Sequence, residues 1–190
     1  MKKLVPVIAI FLILACQDSN PIEPEPEIAA DLTVVQANGR MSKVVKLIPF
    51  KAHGTWWYPE EGDASSCAQF PDGEPMFIEW EANATHLGLH SGSATNCFGP
   101  GPIPGRPLLS HSSMMVAANG DVLLGFGSAA EDGTGLIIYP DLSFELGPVP
   151  FIGGTGRFEG ASGWYRVVAE HMLGGAFIME GEISTVGSNK

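Results

Sequence analysis

Apolar residues in this chain fall into short runs in which they alternate with polar ones, and long stretches at the three-to-four spacing of a helix are missing. Alternation sends successive side chains to opposite faces, as in a strand with one buried side. In Ile78-Glu79-Trp80-Glu81 the apolar pair faces one way and the carboxylates the other. The pattern predicts strands over 47–57, 77–89, 110–118, 121–129, 135–139, 163–171 and 174–184. Turn chemistry separates them at Asp72-Gly73, Asn119-Gly120 and Asp132-Gly133, since glycine accepts positive φ. Asn119-Gly120 is the sharpest signal and predicts a type I′ hairpin. About eight short strands at this spacing predict an all-β domain, either a closed antiparallel barrel or a sandwich.

Ahead of the strands the pattern changes twice. Residues 1–15 carry Lys2 and Lys3 and then run almost unbroken apolar from Leu4 to Ala15. That is short for a bilayer span, and it has the charged start and apolar middle of an export signal. The run ends Ile13-Leu14-Ala15-Cys16, which resembles a lipobox, so 1–15 reads as a lipoprotein signal peptide and Cys16 as the lipidation site that anchors the chain to a membrane. Gln17 follows, which by resemblance to Gram-negative lipoproteins points to the outer membrane. Residues 16–43 read as the acylated N-terminus and an acidic tether. Glu23, Glu25 and Glu27 interleave there with Pro24 and Pro26, giving a stiff, self-repelling segment unable to bury a core. Residues 44–186 then read as one domain long enough for a single core, and 187–190 as a C-terminal tail.

Charge narrows the function classes. The chain carries a net −11, and loss of Lys2 and Lys3 with the leader makes it more negative. Nucleic-acid phosphates call for the opposite sign. With Cys16 assigned to lipid, Cys67 and Cys97 remain, and two thiols in an exported chain favour a disulfide. By chain entropy such a bond is worth roughly 3–4 kcal/mol. A metal pair lacks the C-x-x-C spacing.

On a strand, His86, Gly88 and His90 would share one face and Leu87 and Leu89 the other. With His53 or His111 the imidazoles could ligate a metal, but the leucines' preference for the core puts the histidines in solvent and leaves the ligand set short. No Ser-His-Asp order or G-x-S-x-G is present. No catalytic residue, cofactor or metal site is therefore assigned. Trp56, Trp80, Phe126, Trp164 and Phe177 are the candidates to line a cavity holding a small apolar ligand, or to fill the barrel.

The stretch 153–163, GGTGRFEGASG, holds five glycines in eleven residues. A phosphate cradle would need a preceding strand, a following helix and a Lys-Ser/Thr ending, which are missing. It reads as a tight barrel corner built on Gly153, Gly154, Gly156, Arg157, Phe158, Gly160 and Gly163. This stretch resembles the GGTGRF-x-G-A-x-G signature of secreted bacterial proteins in the allene oxide cyclase-like barrel family. Thr85-His86-Leu87-Gly88, Ala118-Asn119-Gly120-Asp121 and Gly181-Glu182-Ile183-Ser184 resemble further motifs of that family, in order. The resemblance covers roughly residues 77 to 184 and implies a single closed antiparallel barrel of the calycin type. It also implies cofactor-free isomerase or cyclase chemistry in a preformed cavity as one function, and barrel faces that can pair into a homo-oligomer. The leading expectation is a lipid-anchored domain that binds a small apolar ligand or an envelope partner. A structural lipoprotein with a filled barrel is the other alternative.

Overall fold

The computed structural model describes residues 46–100 and 107–184. The signal peptide, Cys16, the tether and the C-terminal tail lie outside the described residues. Nine strands form: β1 (Leu47–Trp57), β2 (Glu74–Ala84), β3 (Gly88–Phe98), β4 (Leu108–Ala117), β5 (Val122–Ser128), β6 (Gly135–Ile138), β7 (Phe144–Gly154), β8 (Gly163–Ala169) and β9 (Gly175–Ser184). Antiparallel ladders run in the order β5-β4-β3-β2-β1-β9-β8-β7, and β5 pairs with β7 to close the ring. The result is an eight-stranded closed barrel, with β6 added outside it along the first half of β7. Closure leaves no long exposed edge in the ring.

Two strands were not predicted. The run 77–89 is broken: β2 ends at Ala84, and the chain reverses through Thr85, His86 and Leu87 into β3. The reversal holds His86 at φ 71, and the side chain reaches back so that Nε2 lies 3.0 Å from the Pro49 carbonyl. β7 contains Gly147, Pro148 and Pro150, which break the alternating pattern that marks a strand. The Asn119-Gly120 turn also differs from expectation. Only Gly120 has positive φ, and the hydrogen bonds from Gly120 N to Ala117 O and from Ala117 N to Asp121 O make a type I turn with a glycine bulge.

The barrel interior is filled by interlocking aromatic side chains. Phe50 meets Phe151 edge-on at 5.2 Å, Trp56 meets Phe144 at 5.7 Å, and Trp80 meets Phe177 at 6.4 Å. Large and small residues alternate across neighbouring strands. Gly92 of β3 lies opposite Trp80 of β2, and a Cβ at Gly92 would collide with the indole ring.

One end is sealed by the glycine-rich corner. Gly153 and Gly154 end β7, residues Gly156–Phe158 make a single 3-10 turn, and Gly163 opens β8. Phe158 is fully buried in the core. Arg157 lies over the Phe158 ring at 4.9 Å, and its Nε approaches Asp121 Oδ2 at 3.3 Å as an ion pair. Thr155 accepts from Val122 N through its Oγ1 and donates its own N–H to Val122 O. Gly156 has φ +58, and a Cβ there would strike the Asp121 carboxylate, so only glycine fits. Arg157 also donates to the Leu87 carbonyl at 3.4 Å. The corner, the β4–β5 hairpin and the β2–β3 turn thus meet in one cluster.

Candidate functional site

Inside the barrel a chain of polar groups crosses from β3 to β8. His111 Nδ1 lies 2.7 Å from Asn96 Oδ1, and its Nε2 lies 2.9 Å from the Tyr165 hydroxyl. The Tyr165 hydroxyl in turn lies 2.6 Å from Ser113 Oγ. An amide oxygen only accepts, so Nδ1 carries the imidazole proton and Nε2 accepts from Tyr165. With its one proton given to Nε2, the Tyr165 hydroxyl accepts from Ser113 Oγ, and the Gly125 carbonyl 3.4 Å from Oγ is the alternative acceptor for that same serine proton. All of these side chains are buried. Burial pushes the Tyr165 phenol above its usual range and lowers His111 to about 4. A second buried imidazole, His90, accepts from Trp80 Nε1 at 3.4 Å and donates to the Gly88 carbonyl at 3.2 Å. Burial lowers its pKa as well.

These shifts predict a pH dependence of stability. The His111 value of about 4 lies below the 6.5 of an unperturbed imidazole, so between those values the unfolded chain binds a proton that the folded chain does not. Stability is therefore full above pH 6.5 and is lost as the pH falls toward 4, by about 2 kcal/mol at pH 5. His90 acts in the same direction. Urea unfolding at pH 7 and pH 5 checks this, because His111→Gln should narrow the gap between the two midpoints. An unchanged gap would remove His111 as the cause.

The cavity that borders this chain measures only about 40 Å3, with Trp56, Trp80, His111, Phe144, Tyr165 and Phe177 among its walls. Ligand pockets run to several hundred Å3. Of the residues expected to line a cavity, Trp56, Trp80 and Phe177 do point inward and are buried. Trp164 and Phe126 do not. On β8 the interior position belongs to Tyr165, which turns Trp164 outward with 37% of its surface exposed. On β5 the inward positions are Leu123, Gly125 and Gly127, and a Cβ at Gly125 would meet Ser113 and Tyr165; Phe126 takes the outer face opposite Ser112.

The larger concavity lies on that outer face. The β7–β8 ladder is interrupted between Leu146 and Val149, where Gly147 and Pro148 bulge out. Beside the bulge, a groove of about 540 Å3 crosses β6, β7 and β8. Ile137, Pro148, Pro150 and Trp164 give it apolar walls, and Gly135 and Gly147 leave its middle free of side chains. Asp132, Glu145 and Arg166 bring charge to it. Glu145 Oε1 accepts from the Tyr139 hydroxyl at 2.9 Å, and Arg166 pairs with Glu180 at 3.2 Å. The sequence marked Trp164 but placed it on the wrong face, and nothing in the sequence marked the bulge.

The remaining candidates separate. His86 sits in the turn, His90 inside the barrel with Leu89 exposed in its place, and His111 on β4, so the shared histidine face does not exist. Among the described residues no three His, Cys, Asp or Glu side chains gather as a metal site. Cys67 and Cys97 are bonded, with Cα atoms 5.5 Å apart, joining the loop after β1 to the end of β3. The corner residues 153–163 hold the sealed end and line neither the interior cavity nor the groove. No family model and no curated protein matches the chain.

Proposed function

We propose that this is a lipid-anchored, extracytoplasmic domain in which a solid barrel serves as a rigid scaffold and a small, largely apolar ligand binds in the outer groove of β6, β7 and β8. The observation that carries the reading is the contrast in volume, about 540 Å3 in the groove against about 40 Å3 inside. A groove of that size with an exposed tryptophan suits a drug-sized molecule. Support for export comes from the charged and apolar leader ending at Cys16, and from a Cys67–Cys97 bond of the kind that persists in oxidising compartments. The closed antiparallel ring is compatible with the allene oxide cyclase-like barrels, and the motifs that resemble that family support reading the chain as one of them.

A cofactor-free isomerase acting inside the barrel is the second reading, favoured by the Tyr165–His111 pair at the wall of the inner cavity. The inner volume speaks against a substrate there. The test uses the neutral fluorescent probe N-phenyl-1-naphthylamine. Saturable binding is expected, weakened about tenfold by Trp164→Ala through loss of apolar contact. Equal binding by the variant would sink the groove reading.

A further inference from the structure

We propose that the groove selects organic cations, molecules with an aromatic or aliphatic body and a positive charge; this rests on the groove reading above. Three observations point to charge selection. Asp132 and Glu145 are both at the groove, while the one cation there among the described residues, Arg166, already faces the Glu180 carboxylate at 3.2 Å. The local balance is therefore negative, with two carboxylates left over once that pair is set aside. Glu145 keeps capacity for a ligand, because the structure engages its Oε1 with Tyr139 and a carboxylate has two oxygens. Next, Trp164 exposes 37% of its surface at the groove wall, and the face of an indole attracts cations through its quadrupole. Finally, the chain as a whole carries a net −11, which draws cations toward any concave site and repels anions. Apolar walls from Ile137, Pro148 and Pro150 supply contact for the body of such a molecule. An anionic lipophile would find only the engaged Arg166 to oppose two carboxylates.

Tetraphenylphosphonium and tetraphenylborate test this, since they share shape and size and differ in the sign of the charge. Titrating each into the purified chain and following tryptophan fluorescence, with calorimetry as a second readout, should give binding of the phosphonium at least tenfold tighter than of the borate. Trp164→Ala should abolish most of the phosphonium binding. Glu145→Gln, which keeps an acceptor for Tyr139, should lower the preference about fivefold, and Asp132→Asn should act in the same direction. Added salt should shrink the preference. Equal or tighter binding of the borate, with both ions sensitive to Trp164→Ala, would overturn cation selection and leave the groove reading standing. Phosphonium binding that survives Trp164→Ala would place the cation elsewhere and overturn the proposal. If neither ion binds and the neutral naphthylamine probe also fails, the groove reading itself falls.

Discussion

Replacing Phe158 by alanine is expected to cost about 3–5 kcal/mol of stability, the range for removing a fully buried aromatic side chain from a core that cannot close around the gap. Phe158 is 0% exposed, and its surroundings have little freedom to collapse. The backbone on its N-terminal side is pinned to β5 by the Thr155–Val122 hydrogen bonds, and Arg157 caps its ring. The 3-10 turn that carries it closes on bonds from Phe158 N to Thr155 O and from Glu159 N to Gly156 O, and Ala161 N then bonds to Phe158 O. A cavity left there would open the sealed end, and the three turns meeting at that end would loosen together. Urea unfolding should show a lower midpoint with an unchanged slope. Arg157→Ala removes a partly exposed ion pair with side-chain exposures of 36% and 21%, and so should cost far less. If Phe158→Ala lost under about 1 kcal/mol, the corner would not be the plug described here.

The second large effect concerns Cys67 and Cys97. Replacing both with alanine should cost about 3–4 kcal/mol, from the entropy the unfolded chain regains when a loop of some thirty residues is released. The two cysteines are 30 residues apart, and both are buried. The loop they hold carries the 3-10 turn Ser65–Cys67 and lies against the barrel wall, where Thr95 Oγ1 donates to the Asp63 carbonyl at 2.9 Å. Cys67 is the only buried residue of the loop between β1 and β2, so apart from the hydrogen bonds of Tyr58 to Met172 O and of Thr95 to Asp63 O the covalent tie is what holds it. Thermal unfolding with and without reductant checks this. Reductant should bring the wild-type chain down to the double variant and leave the variant unmoved. A variant as stable as the oxidised wild type would show that the loop holds without the bond.

The barrel was legible wherever one face was apolar and the other polar. β1, β4, β5, β8 and β9 all appear close to their expected bounds for that reason. β3 escaped because its inward positions are His90, Gly92, Ala94 and Asn96, small or polar residues chosen by what stands opposite. Gly92 makes room for the Trp80 ring, and Asn96 serves His111. Such a strand shows no apolar rhythm, because its side of the core is supplied by its neighbours. The break between β2 and β3 was hidden for a related reason. Thr85 keeps the alternation of β2, and a histidine at positive φ gives no signal of the kind that glycine gives, although the apolar positions do move from even numbers at Trp80, Ala82 and Ala84 to odd ones at Leu87 and Leu89. The corner was legible as a corner, since its glycines have a local backbone reason, but its docking partners Asp121 and Leu87 lie far along the chain. The groove was not legible. It depends on β7 being shared between β6 and β5 around the Gly147-Pro148 bulge, a property of the closed ring and of no single segment. Reading Trp164 as an inward residue was a parity error of one position, decided by which of two adjacent aromatic residues the interior could hold.

The β1–β9 ladder has a kinetic consequence. It joins Leu47 to Ser184 and so ties together the two ends of the described barrel. Much of the ring can zip up from hairpins that are near neighbours along the chain, but this seam must bring together segments with nearly all the strands between them. Such contacts recover the entropy of loop closure last, and a high share of them slows folding. A circular permutant in which a short turn such as Asn-Gly joins Ser184 to Leu47, with new ends at Asn119 and Gly120, would keep every strand neighbour and make the seam local. The late step would then pass to the pairing of β4 with β5, and the order of assembly would change while the final architecture stayed the same.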